Sequence, residues 1–169
     1  MRVISGSARG RRLKELQGMD TRPTTDKVKE SLFNIIQFEI EGRSVLDLFG
    51  GTGQLGIEAL SRGAERCTFV DARREAAALI RENLKATGLE KAGRVVQGDA
   101  ISFLSGCRER FGVIFLDPPY QTQLLEQTLE LLTGQFTNEV MSELTYRVDV
   151  LGEDVDLVAA DYLHTLGLL

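Results

Sequence analysis

Four aspartates and one glycine cluster carry most of the chemistry this sequence can do. Asp47 precedes Leu48-Phe49-Gly50-Gly51-Thr52-Gly53, Asp71 closes Arg66-Cys67-Thr68-Phe69-Val70, Asp99 follows Gly98, and Asp117 opens Asp117-Pro118-Pro119-Tyr120. Glycines in a turn let bare backbone N–H groups approach a ligand. A helix starting behind them adds a partial positive charge suited to a carboxylate or phosphate. An acid such as Asp71, ending a strand, can accept both hydrogen bonds of a ribose diol. The Asp-Pro-Pro-Tyr stretch suits a different task. The lone pair of an exocyclic amine on a nucleobase is delocalised into the ring, so the nitrogen is a poor nucleophile. The Asp117 carboxylate and the Pro118 carbonyl can accept its two N–H bonds and hold the nitrogen toward a methyl donor. Pro118 and Pro119 fix the backbone so that both acceptors point one way, and Tyr120 offers a face on which a base can stack. Such catalysis is mostly orientation and requires no strong general base.

Each motif has a plainer reading. The glycines can form a turn that binds nothing, and Asp-Pro-Pro-Tyr can be a rigid turn with Tyr120 as packing. Gly51-Thr52-Gly53-Gln54-Leu55-Gly56 also fits the dinucleotide pattern G-x-G-x-x-G, with Asp71 in roughly the right place. A NAD(P)-dependent oxidoreductase is therefore the rival enzyme, although hydride transfer gives Asp-Pro-Pro-Tyr no evident job. A noncatalytic RNA-binding protein that keeps the fold is the reading from another class.

The elements that must position these residues follow from periodicity. Val45 to Leu48 and Val113 to Leu116 are short apolar runs, as expected of buried parallel strands, and Arg66 to Asp71 and Arg94 to Gln97 read as two further strands. Helical spacing follows each, and Gly63 and Gly88 stop the first two helices. Strand and helix alternate four times at lengths that suit right-handed crossovers, so the expected fold is α/β, doubly wound on a mostly parallel sheet. The aspartates then fall at the C-terminal edge, where open α/β sheets bind ligands. Ahead of this core, residues 1–14 predict a short basic hairpin. Thr24 or Thr25 predicts the cap of a docking helix, with Val28, Leu32, Ile35 and Ile36 on its buried face, ending by Glu41-Gly42-Arg43. Arg22 and the threonines are also placed to line the ligand mouth.

Composition sets the outer bounds. The 169 residues fit one domain: a basic arm and docking helix over 1–40, a cofactor-binding and catalytic core over 41–133, and an acidic segment over 134–169. Cys67 and Cys107 lack metal or disulfide spacing and read as thiols of a reducing cytoplasm; His164 is the lone histidine. No metal site is expected, nor a membrane span or signal peptide. The net charge of −5 hides a basic start, in which Arg9, Arg11, Arg12 and Lys14 suit phosphate contacts.

Asp47-Leu-Phe-Gly-Gly-Thr-Gly, Asp71, Gly98-Asp99-Ala100 and Asp117-Pro-Pro-Tyr120 resemble the ordered motifs of Rossmann-like class I S-adenosylmethionine-dependent amino-methyltransferases. Arg2-Val-Ile-Ser-Gly-Ser-Ala-Arg-Gly-Arg-Arg-Leu and Thr21-Arg-Pro-Thr-Thr-Asp-Lys-Val-Lys-Glu-Ser-Leu-Phe-Asn-Ile are similar to the RsmD family, which methylates a guanine N2 in small-subunit (16S) ribosomal RNA. The resemblance covers about residues 1–132. It implies S-adenosylmethionine as cofactor, its methionine end against Phe49, Gly50, Gly51, Thr52 and Gly53 with Asp47 near the ammonium. It implies ribose on Asp71, adenine at Asp99 and Ala100, Arg22 and Thr25 closing over cofactor or target, and Asp117 with Pro118, Pro119 and Tyr120 handling the base. Arg9, Arg11, Arg12 and Lys14 would grip RNA of the assembling small subunit, the protein acting as a cytoplasmic monomer. Reaching N2 requires the guanine to be unstacked. The Asp-Pro-Pro-Tyr motif also serves adenine N6 in DNA, but the chain has no room for a large DNA-reading domain. After about Gly134 the likeness fails, and the expectation is a sheet missing part of its usual last hairpin.

Overall fold

A computed structural model describes residues 1–16, 25–118 and 124–133. In chain order these form α1 (Asp26–Ile35), β1 (Ser44–Asp47), α2 (Gln54–Ser61), β2 (Arg66–Asp71), α3 (Arg74–Thr87), β3 (Gly93–Gln97), α4 (Ala100–Gly106), β4 (Val113–Phe115) and α5 (Leu124–Thr133). The four strands make a parallel sheet in the order β3-β2-β1-β4. The chain thus moves outward from β1 to β3, then crosses back to lay β4 on the other side of β1. That reversal opens a crevice between the carboxyl ends of β1 and β4, the place where such sheets take ligands. The expected last hairpin and acidic segment lie outside the described residues.

The sheet is covered on both faces. Val45, Cys67, Phe69, Val113 and Phe115 pack with Leu32, Phe33, Ile36, Leu55, Ile57, Ile80 and Leu84 from α1, α2 and α3. Leu46, Leu48, Val70, Ile114 and Leu116 pack with Ala100 and Leu132 from α4 and α5. Burying each large apolar side chain contributes about 1.5–3 kcal/mol. β1, β2 and β4 are accordingly buried almost throughout, whereas β3, at the end of the described sheet, is only half-buried or exposed. Phe33 meets Phe115 at 5.6 Å between ring centres, and the Arg62 guanidinium lies 4.8 Å over Phe33.

Thr25 caps α1, its hydroxyl accepting from the Val28 N–H at 3.3 Å. The buried face of that helix differs from the expected one. It consists of Lys29, Leu32 and Phe33, continued by Ile36, whereas Ile35 is 40% exposed. The α-helix also stops at Ile35 rather than near Glu41. The reason for the altered face is Lys29. Its ammonium is fully buried, donates to the Arg2 carbonyl at 2.6 Å and lies 3.9 Å from the Glu58 carboxylate. A polar residue on the inner face rotates the helix away from the orientation that apolar spacing alone suggests.

The expected N-terminal hairpin closes through a single antiparallel bridge, Arg2 to Arg12. Between these residues the backbone is tied to α2. Glu58 accepts from the N–H groups of Ile4 at 2.8 Å and Ser5 at 3.0 Å. Ser61 accepts from Ser7 through its carbonyl and from Ala8 through its hydroxyl, which in turn donates to the Ser5 carbonyl. Gly6 sits at φ +85°, where a Cβ would overlap the Ser61 carbonyl.

Candidate active site

The glycine turn joins β1 to α2 and is shaped by its own backbone. Gly50 donates to the Val70 carbonyl at 3.0 Å and Gly53 to the Gly50 carbonyl at 2.6 Å. Gly51 and Gly53 have φ of +57° and +79°, conformations costly for residues with a Cβ. At Gly56 a Cβ would overlap the Phe69 ring, so this glycine lets α2 lie close on the sheet. The α2 N-cap is Gly53, which has no side chain to offer. Asp47 takes that role from below, its Oδ2 accepting from the Gly56 N–H at 3.0 Å. The N–H groups of Thr52, Gln54 and Leu55 donate to no acceptor among the described residues.

Three of the four aspartates gather at this edge. Asp47 is 2% exposed, and burial pushes its pKa up to about 8. The Gly56 bond opposes that rise, while the Asp117 and Asp71 carboxylates add to it. Asp117 follows β4 across the crevice, is half-buried, and has its pKa raised by burial. Pro118 beside it is half-buried too. Asp71, 6% exposed, accepts from the Gly51 N–H at 2.9 Å, and so links the end of β2 to the turn. Carboxylates crowded in this way favour a cationic ligand.

The other expected site residues are more dispersed. Phe49, Gly51 and Thr52 are half-buried in the turn, and Gly50 and Gly53 are buried. Asp99 is exposed and caps α4 by accepting from the Ser102 N–H at 2.8 Å; Ala100 next to it is buried. Thr25 is exposed and engaged as the α1 cap. Arg22, Pro119 and Tyr120 lie outside the described residues. Arg9, Arg11, Arg12 and Lys14 are all exposed on the tethered arm. Arg11 donates to the Ala86 carbonyl at 3.4 Å, and Lys14 pairs with Glu82 at 2.8 Å.

Three residues at the site were not singled out from sequence. Gln54 begins α2 and is 8% exposed, and its Oε1 has no hydrogen-bond partner among the described residues. Arg73 grips Asp71 through its side chain. Asn83 joins the arm to the turn: it exchanges two bonds with the Lys14 backbone and donates to the Thr52 carbonyl at 2.9 Å. Polar residues on a helix ordinarily read as solvated, so no sequence signal marked them. A cleft of about 310 Å³ lies at the opposite edge, lined by Arg66, Lys91, Arg94 and Glu109 at the starts of β2 and β3. Its Arg66 is already paired with Glu109 and Ser44. Among the described residues, no helix is long and apolar enough to cross a membrane.

A parallel sheet in this order, with a glycine turn after its first strand and carboxylates at the ends of β1, β2 and β4, defines a Rossmann-like fold of the methyltransferase class. The solved structure described as "Putative methyltransferase yhhF from Escherichia coli" superposes with a TM-score of 0.70 at 39% identity, covering 78% of this chain and 71% of that one. The chain belongs to the RsmD family, whose model, described as "Conserved hypothetical protein 95", matches residues 1–146. It is 52% identical over 135 residues to "Putative rRNA methyltransferase YlbH" of Bacillus subtilis (strain 168), covering 78% of this chain and 73% of that protein. It is 41% identical over 134 residues to "Ribosomal RNA small subunit methyltransferase D" of Escherichia coli (strain K12), and there it spans 66% of the relative's length.

Proposed function

We propose that this protein uses S-adenosylmethionine to methylate the exocyclic amine of a nucleobase, and that the base is a guanine, at N2, in small-subunit ribosomal RNA. The observation that carries this reading is the position of Asp117 and Pro118. They leave β4 directly across the switch point from the β1 glycine turn, with the Asp117 carboxylate in electrostatic reach of Asp47. The name of the Escherichia coli relative supports the choice of RNA.

The residues present suit the cofactor. A Cβ at Gly50 would come within 2.8 Å of Ile80, so the turn stays slim enough for backbone to meet a ligand. The N–H groups of Gln54 and Leu55, which meet no acceptor among the described residues, suit a carboxylate. The Asp47 carboxylate and the Gln54 oxygen, which has no partner among the described residues, suit an ammonium. When bound, S-adenosylmethionine supplies an electrophilic methyl group. The protein's part is to hold the amine. Asp117 and the Pro118 carbonyl accept its N–H bonds, and the raised pKa makes Asp117 a better acceptor for the proton that the alkylated nitrogen sheds. Asp71 takes the ribose, Asp99 and Ala100 the adenine, and Tyr120 stacks on the base. Arg22 and Thr25 close the mouth. Arg9, Arg11, Arg12 and Lys14 hold RNA phosphates.

In this reading residues 1–169 form one domain, which acts as a cytoplasmic monomer on ribosomal RNA or the assembling subunit without a metal. The test is to incubate the purified protein and a labelled methyl donor with ribosomal RNA and small subunits from cells lacking it, and then map the label. Label on a guanine N2 is expected. Label on an adenine, or binding of NADH with no binding of S-adenosylmethionine, would overturn the reading.

A further inference from the structure

The Asp71 carboxylate is fully engaged. Its Oδ1 accepts from the Arg73 backbone N–H at 2.9 Å and from Arg73 Nε at 3.0 Å. Its Oδ2 accepts from the Gly51 N–H at 2.9 Å and from Arg73 Nη2 at 3.0 Å. An ionised carboxylate has about four acceptor directions, so these four donors fill it. Two of them are backbone groups that shape the turn and the start of α3. The other two belong to one guanidinium fork, a geometry that matches a carboxylate and adds strength. The Arg73 side chain is 34% exposed and covers an Asp71 side chain that is 6% exposed.

A ribose diol brings two O–H donors and needs two acceptor directions. The backbone donors cannot leave without unmaking the turn. The guanidinium can, because it ends a long side chain at the surface. We propose that Arg73 is a latch on the ribose subsite: its guanidinium occupies the two acceptor positions of Asp71 that the ribose hydroxyls require, and cofactor binding opens the fork. This rests on the reading of Asp71 as the ribose acceptor. The latch has a clear use. Without Arg73, a nearly buried carboxylate beside Asp47 would lack its cation, and burial without a partner is costly. Arg73 therefore stabilises this edge of the fold and lowers its affinity for the cofactor, two effects of opposite sign. An arginine that only supported the fold would raise both.

The experiment is calorimetric titration of the full chain with S-adenosylhomocysteine, run beside thermal melts of the ligand-free protein. Arg73→Ala is expected to bind roughly three- to tenfold more tightly than wild type, as befits losing a partly exposed ion pair. It is also expected to melt at a lower temperature without ligand. Arg73→Lys should fall between, since an ammonium is a point charge without a fork. Arg73→Gln carries the same expectation as Ala if the Ala variant does not fold. Equal or weaker binding by these variants overturns the latch. If Asp71→Asn binds as tightly as wild type, Asp71 is not the ribose acceptor and the latch falls while the methyltransferase reading stands. No binding by wild type removes both.

Discussion

The Asp47 carboxylate lies beneath the glycine turn with one oxygen on the Gly56 N–H, and burial holds its pKa at about 8 against an ordinary value of 3.8. Between those two values the folded protein binds a proton that the unfolded chain has released. Stability from this group is therefore greatest below about 4, falls as pH rises, and levels off above about 8. Asp47→Asn should flatten that fall, which urea unfolding at a series of pH values would reveal; an unchanged slope would mean that Asp47 is already ionised in the fold. An ammonium placed beside Asp47 reverses the pull. Binding of S-adenosylhomocysteine near neutrality should then release close to one proton, seen as a binding enthalpy that changes with the ionisation heat of the buffer. A buffer-independent enthalpy would place the ammonium elsewhere. Asp117 is expected to act on chemistry and not on the cofactor. Asp117→Ala should cut single-turnover methyl transfer by roughly a hundredfold or more, the scale of a lost orienting or charge-stabilising group, while leaving S-adenosylhomocysteine affinity within about threefold. Comparable turnover in the variant would remove Asp117 from the mechanism.

At the scale of elements, α2 connects two functions. Its N-terminus carries the glycine turn, and one turn further on Glu58 and Ser61 bind the backbone of residues 4–8. Gly6→Ala should dislodge that backbone, because its φ of +85° and the overlap with the Ser61 carbonyl leave no room for a methyl group. A loss of about 2 kcal/mol or more is expected in urea unfolding, together with faster amide exchange at Ile4, Ser5 and Ala8. Normal protection at those amides would show that the clamp does not hold the arm. None of this was legible in the sequence, and the cause is physical. The strands and the glycine turn announce themselves through apolar runs and glycines, and the cap of α1 through a pair of threonines of which the structure uses Thr25, because local chemistry dictates them. Glu58, Lys29 and Asn83 are polar residues on helices, and only partners dozens of residues away make them interior. The same blindness exchanged Lys29 and Phe33 for Val28 and Ile35 on the face of α1. Asp47, Asp71 and Asp117 were placed at the sheet edge because the first two end their strands and the third follows β4 by two residues. That Arg73 would close over Asp71 depended on a side-chain conformation, which spacing does not encode.

Across the whole molecule the charge is divided by position. The net charge is −5, yet Arg9, Arg11 and Arg12 stand exposed on a segment whose backbone is tied to α2, and Asn83 joins that segment to the glycine turn. Screening limits the acidic remainder to local influence, since at physiological salt the interaction length is about 8 Å. A polyanion at the arm therefore meets the arginines and not the average charge. Because the arm is fixed at one end and bridged to the turn, an RNA strand gripped there as proposed would lie in a set relation to the crevice between β1 and β4. Replacing Arg9, Arg11 and Arg12 together by alanine should weaken RNA binding. It should also flatten the dependence of log affinity on log salt, by about 0.7 for each phosphate of single-stranded RNA that is no longer neutralised. Affinity for S-adenosylhomocysteine should stay unchanged, because the same substitution leaves Glu58, Ser61 and Asn83 in place. The measurement is a salt titration of RNA binding in wild type and variant. An equal slope in the two would show that the RNA approaches the crevice by another surface, and a fall in cofactor affinity would show that these side chains help to shape the turn.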